Sequence, residues 1–157
     1  MIRIKRNPII IKPVLFVDHD GVLVIRDQDD GELKDLFDKK SIKILNEIIS
    51  ESNCEIVISS DWRNHYPLKE MGNIYIDSGI IKKPIDYTPD LWTKTSDIND
   101  LEKIRSLEIE TWLLQNNIST NWCAVDDMEL LLTNFVLINP NKGLTSPVKN
   151  KVLSFLS

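Results

Sequence analysis

The segment VLFVDHDGVL, residues 14–23, constrains the fold of this chain most strongly. An apolar run ends abruptly on Asp18, a second carboxylate follows at Asp20, and Gly21 then permits a turn. Side chains alternate along a strand, so Asp18 and Asp20 share one side if the strand continues through them. Carboxylates this close repel each other, which is costly unless a cation or a reaction needs them. The pattern D-x-D-G alone is also typical of an acidic turn.

Two later apolar runs end in polar residues in the same way. The run EIVISS finishes on Ser59 and Ser60, and the run WCAVDD finishes on Asp126 and Asp127. In an open α/β sheet, ligands bind beyond the carboxyl ends of the strands, so the three ends would meet at one site. Simpler roles stay open, because the serines could merely end a strand and one aspartate could cap a following helix.

Alternating apolar patterns predict strands and helices in turn. Apolar spacing at i, i+3 and i+4 predicts one helix from Ile42, Leu45, Ile48 and Ile49 and another from Ile104, Leu107, Trp112 and Leu114. The predicted order is strand 14–18, acidic flap 24–37, helix 39–52, strand 55–59, helix or turn 64–72, a strand-like segment ending near Thr88, helix 101–116, strand 122–125, helix 127–133, strand 135–138 and helix 146–156. This alternation predicts a three-layer, Rossmann-like α/β domain with a mostly parallel sheet.

Composition is that of one globular domain spanning residues 1–157. Apolar residues make up 42% and charged residues 27%, which argues against a disordered chain or a membrane protein. The segment 1–12, interrupted by Pro8, predicts an N-terminal arm or edge strand rather than a signal peptide. Cys54 and Cys123 are isolated beside core strands, which indicates buried thiols in a reducing compartment. We therefore expect a cytoplasmic protein without a membrane partner.

The charge balance bears on the choice of substrate. The chain has 24 acidic and 19 basic residues, for a formal net charge of −5. Proteins that bind nucleic acid usually carry a basic face, because phosphate neutralisation dominates their affinity. The net charge therefore weighs against a nucleic-acid substrate without excluding it, since lysines cluster locally at Lys82 and Lys83 and at Lys142, Lys149 and Lys151.

Together these motifs resemble the haloacid dehalogenase (HAD) superfamily of aspartyl-phosphate hydrolases. VLFVDHDGVL is similar to the first motif of that superfamily, Ser59 to the second, and the pair Asp126 and Asp127 to the fourth. Lys103 and Arg105 are both eligible for the basic residue of the third motif, and both also suit a solvated helix face. More narrowly, SSDWR, R-x-x-E-I-x-x-W-L, DD and GLT resemble the small HAD domain of predicted RNA-repair proteins.

The resemblance implies a phosphomonoester hydrolase that uses Mg²⁺. Asp18 would be the nucleophile that forms an aspartyl-phosphate, and Asp20 would be the general acid and base. The metal would be held by Asp18, the Asp20 carbonyl and one later carboxylate. Asp127 is the preferred direct ligand, with Asp126 as its orienting neighbour.

The resemblance also implies how the phosphoryl group is held. Ser59 would donate to a phosphoryl oxygen, and Lys103 or Arg105 would neutralise developing charge and restrain Asp18. Ser60, Trp62 and Arg63 are candidate substrate-binding residues.

The Trp62–Arg63 pair next to the second motif suggests a nucleotide, because an aromatic ring can stack on a base and a guanidinium can grip a phosphate. Packing of Trp62 beneath the sheet edge is the alternative. The spacing between motifs leaves no room for a full cap domain, so we expect a minimal cap or none. An open site resembles superfamily members that act on large substrates, which favours a nucleotide or a nucleic-acid end.

Other functions fit the same residues. The alternatives are a HAD-like phosphatase of small metabolites or phosphoproteins, and a HAD-like binding module without catalysis. A receiver domain is disfavoured, because it places its acidic pair after the first strand and its phospho-acceptor after a central one.

Overall fold

The computed structural model describes residues 12–25 and 37–157. The predicted N-terminal arm and nearly all of the predicted acidic flap lie outside the described residues, so both stay predictions.

Five parallel strands form one sheet. They are β1 Val14–Val17, β2 Glu55–Ile58, β3 Asp86–Tyr87, β4 Trp122–Asp126 and β5 Phe135–Leu137. Their order across the sheet is β3-β2-β1-β4-β5, so β1 is the central strand. Every residue of β1 is fully buried, as expected for a parallel strand that is covered on both faces. The apolar run before Asp18 therefore reflects the position of β1 in the middle of the fold.

Helices cover both faces of the sheet. They are α1 Lys39–Ser52, α2 Leu68–Asp77, α3 Leu101–Gln115 and α4 Ser146–Leu156, with short 3₁₀ helices at Asp61–Asn64 and Ile98–Asp100. On one face, Leu15 and Val17 pack with apolar residues of α1, α2 and α4. On the other face, Val14 and Phe16 pack with apolar residues of α3. These layers are the three-layer, Rossmann-like α/β arrangement predicted from the sequence.

Helix α1 shows why the local sequence forms this structure. Asp38 caps its start, because the Asp38 carboxylate accepts the backbone N–H of Ser41 at 2.9 Å. Asn53 ends it in the left-handed conformation with φ of 56°. The predicted apolar face is buried, and burial of each such side chain contributes about 1.5–3 kcal/mol. That face consists of Ile42, Leu45, Ile48 and Ile49.

One of the predicted helices is absent. Residues 127–133 do not form a helix; Asp126 Oδ1 accepts the backbone N–H of Met128 at 2.9 Å, and the chain continues in bends. The segment 64–72, predicted as a helix or turn, contains both, because a turn at His65 precedes a helix that begins at Leu68, after Pro67.

The predicted apolar face of α3 is wrong. Leu107 and Leu114 are 50% and 81% exposed, whereas Arg105 and Glu108 are buried. The buried face instead combines Ile109, Trp112 and Leu113 with the charged Arg105 and Glu108, so it is rotated from the predicted face. Trp112 is buried, as predicted.

Three further expectations concern the whole domain. Cys54 and Cys123 are buried and unbonded, as predicted. Between β2 and α3 the chain forms α2, β3 and the 3₁₀ helices, and no separate cap domain occurs in the described residues. None of the helices in residues 12–25 and 37–157 combines the length and apolarity needed to cross a bilayer.

Candidate active site

The register of the sheet aligns the residues that follow three strands. The pairing of β1 with β2 and with β4 sets Asp18 beside Ser59 on one side and beside Asp126 on the other. The Ser59 N–H donates to the Val17 carbonyl at 2.9 Å, and the Asp18 N–H donates to the Val125 carbonyl at 3.3 Å. The three strand ends therefore meet at one edge of the sheet.

Three carboxylates form a cluster at this edge, which we call the acidic cluster. One carboxylate oxygen from each of Asp18, Asp126 and Asp127 lies within 4.8 Å of the others. Asp18 and Asp126 are buried and Asp127 is half-buried. A Cβ at Gly21 would lie 2.7 Å from Cγ of Asp127, and Gly21 has φ of +81°. Only glycine therefore lets the turn after Asp18 pack against Asp127.

Burial and mutual repulsion make this cluster electrostatically unfavourable. Burial, followed by repulsion from Asp126, raises the pKa of Asp18 well above its ordinary value, although Arg105 lowers it. Burial likewise raises the pKa of Asp126 to about 6. A divalent cation would stabilise the charged forms and offset both effects. The all-oxygen cluster therefore fits a hard cation such as Mg²⁺.

Arg105 of α3 brings a positive charge to the acidic cluster. Its Nη1 lies 3.1 Å from Asp126 Oδ2 and 3.3 Å from Asp18 Oδ2, and its Nη2 lies 3.6 Å from Asp61 Oδ2. These carboxylates raise the pKa of Arg105 against the opposing effect of its burial, so the guanidinium stays charged. Lys103 is exposed on the same helix. Of the two sequence candidates, the structure brings Arg105 to the cluster.

The serines after β2 have different environments. Ser59 is buried, and its Oγ has no hydrogen-bond partner among the described residues. A buried polar group without a partner needs an explanation, and a phosphoryl oxygen bound at this edge would supply the missing acceptor. Ser60 instead caps the 3₁₀ helix, because its Oγ accepts the Trp62 N–H at 3.3 Å.

Asp20 lies outside the acidic cluster, on the solvent side. It is exposed, and its Oδ2 accepts the indole N–H of Trp62 at 3.3 Å. The Trp62 ring stacks on Phe37 with centroids 5.6 Å apart and meets the His19 ring edge-on at 4.8 Å. Trp62 is thus placed to orient the Asp20 carboxylate from within an aromatic cluster.

Arg63 points into the protein. Its Nη2 donates to Glu108 Oε2 at 2.7 Å, its Nη1 donates to Thr88 Oγ1 at 2.9 Å, and Asp90 Oδ1 lies 3.4 Å from Nη2. Glu108 Oε2 also accepts the backbone N–H of Leu91 at 2.8 Å. Arg63 and Glu108 therefore tie the loop after β3 to α3, and both Nη groups of Arg63 are engaged inside the protein.

The sequence motifs do not reveal the roles of several residues near the site. The His19 side chain is fully buried, and its Nε2 shares a 2.6 Å hydrogen bond with the Tyr75 hydroxyl. Burial lowers the pKa of His19 to about 3, so the ring is neutral. The sequence could have indicated Glu108, because this residue lies three positions after Arg105 and therefore on the same face of α3. The contact of His19 with Tyr75 joins distant segments and leaves no local pattern.

A small parallel α/β sheet with an acidic cluster at the tip of its central strand fits a HAD-type domain. A family model described as the HAD domain in Swiss Army Knife RNA repair proteins matches residues 14–148. The chain belongs to this family. No curated protein and no solved structure matches the chain. Family membership supports a phosphatase-like hydrolase in general terms, and HAD proteins generally use Mg²⁺.

Proposed function

We propose that the protein is a Mg²⁺-dependent phosphomonoester hydrolase that acts on a nucleotide or a nucleic-acid end. The observation that carries this proposal is the position of Asp18. It is a buried carboxylate at the tip of the central strand, with Arg105 at 3.3 Å on one side and the unpartnered Ser59 hydroxyl next to it in the sheet register. A nucleophile, a countercharge and a hydrogen-bond donor for a phosphoryl group are thus brought together.

The reaction proceeds in two steps. An oxygen of Asp18 attacks phosphorus, and the bond from phosphorus to the ester oxygen breaks while Asp20 donates its proton to that leaving oxygen. This step yields an aspartyl-phosphate and a free hydroxyl. Water then attacks phosphorus, Asp20 takes the proton from that water, and the bond to Asp18 breaks. Inorganic phosphate leaves, and both carboxyl groups return to their starting forms.

The surrounding residues stabilise the negative charge that develops during both steps. The Arg105 guanidinium restrains Asp18 and offsets charge on the phosphoryl oxygens, and the Ser59 hydroxyl donates to one of them. The indole of Trp62 holds Asp20 for proton transfer.

Asp18, Asp127 and the carbonyl of Asp20 would hold Mg²⁺, which supplies further charge neutralisation when bound. The motif resemblance favours Asp127 for direct contact. Asp126 accepts hydrogen bonds from Arg105 at Oδ2, at 3.1 Å, and from the Met128 N–H at Oδ1, at 2.9 Å. Asp126 would then position Arg105 and its neighbour Asp127.

The substrate class is supported by the open site and by the family. No cap domain is present in the described residues, which is compatible with a large substrate. The matched family is described from RNA repair proteins. The net charge of −5 opposes extensive contacts to a phosphate backbone, which favours recognition of an end or a single nucleotide.

Substitution of Asp18 tests the chemistry. Asp18→Asn keeps the size of the side chain but removes the nucleophile, and we expect hydrolysis of an aryl phosphate with Mg²⁺ to fall by about 1000-fold or more. Asp77→Asn, an exposed aspartate at the end of α2, is the matched control and should retain activity. Activity of the Asp18 variant within about tenfold of wild type would remove Asp18 as the nucleophile.

A substrate panel separates the alternatives. The panel contains nucleotides, phosphorylated oligonucleotide ends, phosphopeptides and sugar phosphates. A preference for nucleotides or ends supports the proposal, while a preference for sugar phosphates or phosphopeptides would favour the other phosphatase alternatives. If no member of the panel is hydrolysed, a non-catalytic binding module is the better description.

A further inference from the structure

A cavity of about 290 Å³ opens beside the acidic cluster. It lies between the 3₁₀ helix Asp61–Asn64, the loop after β3 and the start of α3. Arg105 and Asp61 line it, and Arg105 also contacts Asp18. Arg105 is therefore shared between the wall of the cavity and the proposed phosphoryl site. Much of its wall is apolar and is formed by Trp92, Ile98, Leu101 and Ile104.

Two of these apolar side chains are unusually accessible to solvent. Trp92 is 41% and Ile98 is 71% exposed. Large apolar groups left around a concave surface next to polar groups are typical of a ligand site. The backbone that carries Trp92 is fixed, because its N–H donates to Asp90 Oδ1 at 3.1 Å and the neighbouring Leu91 N–H donates to Glu108 at 2.8 Å. The Trp92 backbone therefore loses little freedom when a ligand binds.

The polar groups of the cavity indicate the chemistry of that ligand. Arg63 lines the cavity with a side chain that is only 8% exposed, and its Nε has no hydrogen-bond partner among the described residues. The positive charge of Arg63 is compensated by Glu108 and Asp90. The charge of Arg105 is compensated by the acidic cluster. No surplus positive charge is therefore evident here for a second phosphate. One buried donor, the three carboxylates of Asp61, Asp90 and Glu108, and an apolar wall that includes the Trp92 ring instead suit a planar heterocycle with both acceptors and donors.

We propose that this cavity binds the nucleobase of the substrate, stacked on Trp92, while the phosphoryl group lies at Asp18. This inference rests on the proposed function, because it takes the nucleotide as the substrate class. It assigns to Trp92 the stacking role that the sequence suggested for Trp62. The Trp62 ring already stacks on Phe37, and its N–H is used by Asp20.

Binding measurements on the full chain test the base site without turnover. In the Asp18→Asn background, nucleoside 5′- and 3′-monophosphates are compared with ribose 5-phosphate by calorimetric titration. Trp92→Ala should weaken nucleoside monophosphate binding about 5- to 150-fold, the range expected for stacking of one base, and should leave ribose phosphate binding unchanged. Trp92→Phe should restore most of the affinity. Leu114→Ala, an exposed leucine on α3 outside this cavity, should change neither ligand.

The outcomes separate this inference from the proposed phosphatase. If Trp92→Ala weakens both ligands equally or neither, or if no nucleotide binds, the base site is refuted, while hydrolysis of phosphate esters by wild type would still support the phosphatase. If wild type hydrolyses no ester but nucleotide binding depends on Trp92, the phosphatase fails and the base site stands. A larger loss with Trp62→Ala than with Trp92→Ala, confined to nucleotides, would move the base to Trp62 and overturn the inference.

Discussion

The two arginines beside the active site have nearly the same burial but very different surroundings. The side chains of Arg105 and Arg63 are each 8% exposed. Arg105 faces three carboxylates, of which Asp18 and Asp126 are buried. Arg63 faces two carboxylates, the buried Glu108 at 2.7 Å and the exposed Asp90 at 3.4 Å, and it also donates to the Thr88 hydroxyl.

This difference in charge balance separates a functional cluster from a structural one. Arg105 faces two buried carboxylates and Arg63 faces only one, and burial raises the pKa values of Asp18 and Asp126. Burial also raises the pKa of Glu108, but a backbone N–H and Arg63 counter it. Buried carboxylates with raised pKa values, such as Asp18 and Asp126, are typical of sites where a bound cation or a reaction needs them. We therefore assign a catalytic role to Arg105 and the acidic cluster. We assign to Arg63 and Glu108 the role of anchoring the loop after β3.

The largest expected effect is on catalysis through Arg105. Arg105→Gln should lower kcat/KM for phosphate ester hydrolysis by about 100- to 1000-fold, because it removes the charge that faces Asp18. Lys103→Gln is the matched control on the same helix and should change kcat/KM less than about twofold. Steady-state kinetics on both variants decide between them, and a greater loss with Lys103→Gln would assign the third motif to Lys103.

The next largest effect is on the free energy of unfolding, through the ion pair between Arg63 and Glu108. Glu108→Gln leaves the buried Arg63 charge with weaker compensation and should lower the free energy of unfolding by about 2–3 kcal/mol. Asp126→Asn should instead leave stability unchanged or raise it without Mg²⁺, because it relieves repulsion in the acidic cluster. Urea unfolding without metal measures both, with the exposed Glu110→Gln as the control on α3. Equal losses from Glu108→Gln and Asp126→Asn would remove the distinction between the two clusters.

The sequence predicts one of these regions much better than the other. Asp18, Ser59 and Asp126 each end an apolar run, and parallel pairing necessarily brings such ends to one edge of the sheet. The acidic cluster can therefore be placed from local patterns alone. Helix α3 is harder to orient in this way, because its buried face mixes the apolar Ile109, Trp112 and Leu113 with the polar Arg105, Ser106 and Glu108.

The orientation of Trp62 and Arg63 likewise depends on distant residues. Trp62 stacks on Phe37, and Arg63 pairs with Glu108, 45 residues later in the chain. A dipeptide of an aromatic and a guanidinium is compatible with substrate contact or with packing, and only the tertiary partners distinguish these roles. The cavity at Trp92 also comes from three separate segments and has no sequence motif.

A smaller effect should distinguish the two carboxylates after β4. Asp127→Asn should weaken Mg²⁺ binding by about tenfold or more, since it removes the proposed direct ligand. Asp126→Asn should weaken Mg²⁺ binding less, because Asp126 is proposed to orient Arg105 and Asp127 rather than to bind the metal. Calorimetric titration with MgCl₂ measures both affinities. Equal losses, or a larger loss with Asp126→Asn, would make Asp126 the direct ligand.

The smallest effect concerns how pH changes the stabilisation by Mg²⁺. Burial raises the pKa of Asp126 from 3.8 to about 6 in the folded protein, so the metal-free fold binds this proton more tightly than the unfolded chain. Protonation of Asp126 therefore stabilises the metal-free fold. This stabilisation is fully present below pH 3.8 and is lost as the pH rises through about 6. Mg²⁺ binds the deprotonated cluster, so protons compete with it at low pH.

The melting temperature should therefore rise more with Mg²⁺ at about pH 7.5 than at about pH 5, where roughly one tenth of a carboxyl with this pKa is ionised. At saturating Mg²⁺ the two conditions should differ by about 1.4 kcal/mol in metal-linked stability, which corresponds to about a tenfold change in affinity. Asp126→Asn removes this titration and should bring the two Mg²⁺ responses closer together. Equal responses of the wild type at both pH values would show that protonation of the acidic cluster does not control its affinity for the metal.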